Sequence, residues 1–157
     1  MLQVSITDEM QSDAKKRSDS MGVLKNSVTL GDGNLSGFLG EMIVANYLGI
    51  NILDTYEYDM IKDGIKIDVK TKRCTTTPKP HYDCTVYGLN TTQKCDQYWF
   101  VRILHDFSKA WILGYCGKKD FFEKCKKYKS GYVDKSNNYT IPSDSHNVLI
   151  SQLIQIN

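Results

Sequence analysis

No apolar run in this chain is long enough to cross a bilayer: stretches such as Ile43 to Ala45 and Trp111 to Gly114 fall far below the ~18 residues a membrane helix needs. No membrane partner is expected. The opening Met1 to Asp19 lacks the apolar centre of a signal peptide, which makes a cytoplasmic location the expectation. The five cysteines, Cys74, Cys84, Cys95, Cys116 and Cys125, are odd in number and contain no CxxC pair. They therefore suggest neither a disulfide framework nor a zinc ribbon, and read as reduced thiols. Cys74, His81 and Cys84 lack a fourth zinc ligand and read as ordinary packing. Internal repeats and low-complexity tracts are also missing. So is a strong net charge: the formal value is only +2, too small for a whole-molecule field that announces a nucleic-acid partner.

What is present is local. With 157 residues, 41% of them hydrophobic, the chain suits one domain with its own core. Within it, 1–34 reads as a helix and loop, 35–129 as the core and 130–157 as an extension. Basic residues cluster at Lys66, Lys70, Lys72 and Arg73, and again between Lys118 and Lys129, where Asp120 and Glu123 are the only acids. The second cluster reads either as a solvated helix or as a phosphate-contacting patch led by Lys118 and Lys119.

The most informative segment is YEYDMIKDGIKIDVKTK, Tyr56 to Lys72. Two alternating runs flank Asp63-Gly64, the dipeptide that favours a two-residue hairpin turn. With that turn Lys62 faces Ile65, which places Asp59 opposite Asp68 and Glu57 opposite Lys70. Those four side chains share one face, while Tyr56, Tyr58 and Met60 join Ile65, Ile67 and Val69 on an apolar face. Directly opposed side chains have Cβ atoms about 5 Å apart, and like charges there are destabilising. A divalent cation between Asp59 and Asp68 would explain the pair, since magnesium is commonly held by one or two carboxylates with waters and substrate phosphates.

Ahead of the hairpin lies SGFLGEMIVANYLG, Ser36 to Gly49. Apolar residues recur from Leu35 at the spacing of one buried helical face, and Gly49 ends the helix in the C′ manner. Glu41 sits off the stripe, either solvated or turned toward the acidic hairpin.

Asp59 with Asp68-Val69-Lys70, and Glu41 on the preceding helix, resemble the PD-(D/E)XK nuclease superfamily over about Leu35 to Arg73; the family's usual proline before the first aspartate is Tyr58 here. The resemblance implies an α/β (α+β) fold, a central mixed sheet flanked by helices with a restriction-endonuclease-like αβββαβ core. It implies catalytic roles for Asp59, Asp68, Lys70 and Glu41. Mg²⁺ or Mn²⁺ would be held by Asp59, Asp68 and the Val69 carbonyl, with Glu41 or Glu57 as a further ligand. Lys70 would orient or deprotonate the attacking water, or stabilise developing charge. Glu57 would either pair with Lys70 across the strands or bind the cation. Lys66, Lys72 and Arg73 would contact phosphates, joined by Lys118 and Lys119 in the second reading of that cluster. The implied activity is a metal-dependent DNA endonuclease, similar to compact phage or mobile-element enzymes of DNA processing and recombination, located in the host cytoplasm in the phage case. Its substrate would be branched or single-stranded DNA, and symmetric cutting of two strands would need a homodimer. The alternative is a nucleic-acid-binding or interaction module of the same fold without turnover.

Elsewhere, Asp8 to Asp19 predicts a polar surface helix, and Gly22 to Gly33 a loop beside a working site. Thr75 to Pro80 reads as an exposed loop because its two prolines cannot donate to a ladder. Tyr82 to Tyr87, Gln97 to Leu104 and Lys109 to Cys116 predict strands, the last two as a hairpin. Tyr82, Tyr87, Tyr98 and Trp99 read as core or as stacking platforms for unpaired bases. Lys118 to Tyr128 predicts a helix, Gly131 to Asn147 a loop or short strand, and Val148 to Ile156 a strand or short helix.

Overall fold

The computed structural model describes residues 1–21, 34–53, 55–134 and 138–156; the predicted Gly22 to Gly33 loop lies outside the described residues. The architecture is mixed α/β. In chain order the elements are β1 (Leu2–Ser5), α1 (Asp8–Met21), α2 (Asn34–Leu48), β2 (Met60–Lys62), β3 (Ile65–Cys74), β4 (Asp83–Tyr87), β5 (Gln97–Leu104), β6 (Lys109–Gly117), α3 (Lys118–Lys124), β7 (Lys126–Tyr128), β8 (Val133–Asp134), β9 (Tyr139–Thr140) and β10 (Ser145–Leu149). A five-stranded sheet runs β1-β6-β5-β3-β2, a three-stranded sheet runs β4-β10-β7, and β8 pairs with β9. The main sheet is mixed because β3 and β5 are parallel while its other pairings are antiparallel.

Period-two alternation divides the main sheet between two cores. Ile67, Val69, Trp99, Val101 and Ile103 face the α1–α2 side with Phe38, Leu39, Ile43 and Val44. Tyr98, Phe100, Trp111 and Leu113 face the second sheet and α3, meeting Val86, Phe121 and Val148. Helix α2 is buried more widely than a single stripe predicts, because α1 covers its back while β3 meets its front. Thr7 starts α1 by accepting the Met10 N–H at 3.2 Å, a cap that needs no capping-box partner. At the far end of α2, Gly49 (φ 68°) donates to Asn46 O and Ile50 to Ala45 O, the paired bonds of a Schellman stop.

Two sequence expectations about boundaries change. The predicted helix Lys118 to Tyr128 ends at Lys124, and Lys126–Tyr128 becomes the edge strand β7, paired with β10. The Val148 to Ile156 segment is both alternatives in turn: it completes β10, makes a 3-10 turn over Ile150–Gln152, and bridges back to Tyr115 through Ile154.

Candidate active site

Asp63 (φ 50°) and Gly64 (φ 81°) form the two-residue turn, and the ladder behind it has the register the dipeptide dictates: Lys62 with Ile65, Ile61 with Lys66, Met60 with Ile67. Beyond Met60 the ladder stops. Asp59 N–H still donates to Ile67 O at 2.8 Å, but Asp59 O accepts from Leu53 and its carboxylate Oδ2 accepts the Val69 N–H at 2.6 Å. A side chain has taken over where backbone pairing ends.

This corrects the expectation of a long strand from Tyr56. The chain turns away at 55–58, where Thr55 Oγ1 bonds Tyr58 at both N–H and carbonyl, and Tyr56 is 80% exposed instead of core. Glu57 consequently does not sit opposite Lys70. It accepts the Lys94 N–H at 2.9 Å and pairs with the Lys94 ammonium at 3.7 Å.

Asp59, Asp68, Lys70 and Glu41 are nevertheless brought together. Asp68, on the central strand β3, is only 2% exposed. Lys70 lies two residues along the same face with its ammonium 2.7 Å from the buried Asp68 Oδ2. The hydroxyl of Tyr98, the β5 register partner of Asp68, is buried without a hydrogen-bonding partner, with the Cys95 thiol beside it. Burial raises the Asp68 pKa, against the lowering effects of Lys70, a Gln93 hydrogen bond and Lys118. The Asp59 carboxyl is raised well above the ordinary range, first by desolvation and then by Asp68 and Glu41, with the Val69 N–H and Lys70 opposing.

Glu41 reaches this edge because α2 presses onto β3. A Cβ on neighbouring Gly40 would lie 1.9 Å from Thr71 Oγ1, so only glycine permits the approach. Arg17 of α1 holds Glu41 at 3.5 Å while lying 4.7 Å over the Phe38 ring.

Two residues join that sequence reasoning either missed or left undecided. Gln93, in the loop before β5, accepts the Lys70 ammonium at 2.8 Å through Oε1 and donates to Tyr56 O at 3.3 Å. Lys118, at the start of α3, donates to Gln93 O and acts electrostatically on Asp68. Asp96 clamps this loop: its backbone bonds Lys66 O and the Lys118 N–H, and its carboxylate takes the Lys66 N–H at 2.8 Å. A loop glutamine carries no motif, so nothing in the sequence singles out Gln93.

The other predicted contacts are dispersed. Lys66 lies over the Tyr58 ring at 5.3 Å, and Lys119 is exposed beside Glu123. Arg73 points to the opposite sheet face, bonded to His105 O at 2.7 Å and 4.8 Å from the Phe107 ring centre. Tyr98 (0% exposed) and Trp99 (5%) are core residues, which removes both as stacking platforms.

Asp59 and Asp68 can supply the two carboxylates that a divalent cation takes alongside water and phosphate oxygens. The buried Asp68 carboxylate fits that role: its Oδ2 is enclosed and met by the Lys70 ammonium at 2.7 Å, and a buried ionised oxygen calls for cationic partners. Among the described residues, no three His, Cys, Asp or Glu side chains form a ready metal-ligand group. No helix among them is long and apolar enough to cross a membrane. Compared with protein-family models and with curated proteins, the chain has no match.

Proposed function

We propose that the chain is a metal-dependent nuclease that hydrolyses phosphodiester bonds in DNA. The observation that supports this most is the buried Asp68 carboxylate beside a second acid, Asp59, and the Lys70 ammonium. Phosphodiester hydrolysis brings an anionic nucleophile to an anionic centre, so charge neutralisation and positioning dominate the barrier. Mg²⁺ or Mn²⁺ would supply a water of lowered pKa and screening of the phosphate. Asp59 and Asp68 would hold the cation with the Val69 carbonyl, and Glu41 would add charge at its rim.

Lys70 performs the step nearest the reacting atoms, orienting the attacking water or stabilising charge on the phosphate. Gln93 fixes the lysine's approach, and Lys118 adds positive charge behind it. Lys66 and Lys72 are the β3 cations proposed for DNA binding, with the described Arg73 engaged elsewhere.

The test is incubation of purified protein with supercoiled, single-stranded and branched DNA, with Mg²⁺ or Mn²⁺ and with chelator. Metal-dependent cleavage that Asp68→Asn abolishes supports the reading. No cleavage of any substrate overturns it.

One observation favours a second reading, a binding module without turnover: the Lys70 ammonium already compensates Asp68 directly, which is an alternative to a metal as the reason for the buried acid. DNA binding unchanged by Asp68→Ala, together with absent cleavage, would favour the module.

A further inference from the structure

The row of side chains that begins with Asp68 and Lys70 continues along β3 to Lys72, facing the second sheet. Lys72 is register partner to Arg102 of β5, so two cationic side chains stand side by side on one face of parallel strands, about 5 Å apart at the backbone. Arg102 is 8% exposed and fixed: its Nη2 donates to Asp83 O of β4 at 2.7 Å, and its guanidinium lies 6.0 Å from the Tyr82 ring centre.

Lys72 is fixed by no comparable partner. Among the described residues no carboxylate lies within ion-pair distance of its ammonium and no acceptor takes its protons; the Tyr139 ring lies 5.5 Å away. The surrounding charges leave an excess, with Lys72, Arg102 and Lys126 set against Asp83 and Asp134. Burial and Arg102 together lower the Lys72 pKa, the condition of a cation short of an anion.

We infer that Lys72 and Arg102 form a phosphate-binding site for a DNA strand that also lays a phosphate at Asp68 and Lys70, an inference that rests on the nuclease reading of that centre. Lys70 and Lys72 are two strand positions apart, about 7 Å. That is about two rises of 3.4 Å along one DNA strand, so both lysines can serve one backbone. Arg102 presents a preorganised planar donor while Lys72 supplies a point charge, the division of labour expected where a phosphate is both oriented and neutralised. The phosphate is either internal to the strand or a 5′-terminal one.

The experiment uses the full chain in chelator, so that binding is read without cleavage. Fluorescence anisotropy across a salt series is measured on single-stranded oligonucleotides carrying a 5′-phosphate or a 5′-hydroxyl, for the wild type and for Lys72→Met, with folding checked by circular dichroism. Loss of one phosphate contact lowers the slope of log affinity against log salt by about 0.7 and weakens binding severalfold at low salt. An effect on both oligonucleotides assigns an internal phosphate, and an effect on the phosphorylated one alone assigns the terminal phosphate. Lys72→Arg should restore most of the slope. An unchanged slope for both oligonucleotides in folded Lys72→Met overturns the site, as does failure of the wild type to bind either. Cleavage with an unchanged slope removes this inference alone, whereas an altered slope without cleavage removes the nuclease reading alone.

Discussion

The Lys70 ammonium lies 2.7 Å from Asp68 Oδ2, and the pair sits on a strand covered on both faces, with the lysine side chain 15% and the aspartate 3% exposed. Removing one partner of such a buried pair leaves an uncompensated charge, which costs about 3–5 kcal/mol. Lys70→Met should therefore lower stability by about 3 kcal/mol at pH 8. The loss should shrink toward pH 4, because burial raises the Asp68 pKa and acid increasingly protonates a group that then needs no cation. Urea unfolding at the two pH values checks this, and an equal loss at both would count against it.

Asp59 gives a pH dependence of defined sign. Its folded-state pKa is raised, first by burial and then by Asp68 and Glu41. A raised acid contributes stability that is fully present below its unfolded value of about 3.9 and is lost as pH climbs through the folded value. Asp59→Asn should thus gain on the wild type as pH rises above about 4, measured by thermal melts across pH in chelator. Divalent cations favour the ionised form, so Mg²⁺ binding should release protons and tighten with pH. Calorimetry in two buffers of different ionisation enthalpy would read that release.

Gly40 and Gly37 occupy the same helix and should respond oppositely to alanine. A Cβ at Gly40 collides with Thr71 Oγ1, whereas one at Gly37 meets nothing within 4 Å. Gly40→Ala should cost about 1–3 kcal/mol through overpacking and move Glu41 away from Asp59. Gly37→Ala should gain about 0.5–1 kcal/mol from helix propensity. The two denaturation midpoints decide.

For the proposed chemistry, Asp68→Asn and Lys70→Met should each reduce metal-dependent cleavage by about 10² or more. Gln93→Met should cut the rate less and shift its pH profile, since it loosens the lysine without removing it. A pH profile left unmoved would reduce Gln93 to a structural prop.

The hairpin was legible in the sequence because Asp63-Gly64 sets both turn and register by local sterics, and Met60 to Ile67 pairs as that rule requires. The misplacement of Glu57 has an equally local cause. Alternation continues in the letters past Asp59, but the backbone does not follow, since the Asp59 carboxylate replaces a ladder bond and Thr55 bends the chain away. Gln93 and Lys118 were harder: they reach Lys70 and Asp68 across 23 and 50 positions, through a parallel pairing of β3 with β5 that no short-range pattern encodes. The division of strands between two sheets was hidden for the same reason.

That parallel pairing has a consequence for how the centre comes into being. Asp59, Asp68 and Lys70 are drawn together by a reversal of two residues, yet Gln93 and Lys118 arrive from the loop before β5 and the start of α3, after an excursion through another sheet. Contacts between distant positions form slowly because the intervening loop must close first. A fragment stopping at Cys74 would hold every acid of the constellation and Lys70, and still lack Gln93, Lys118 and the β5 strand that buries them.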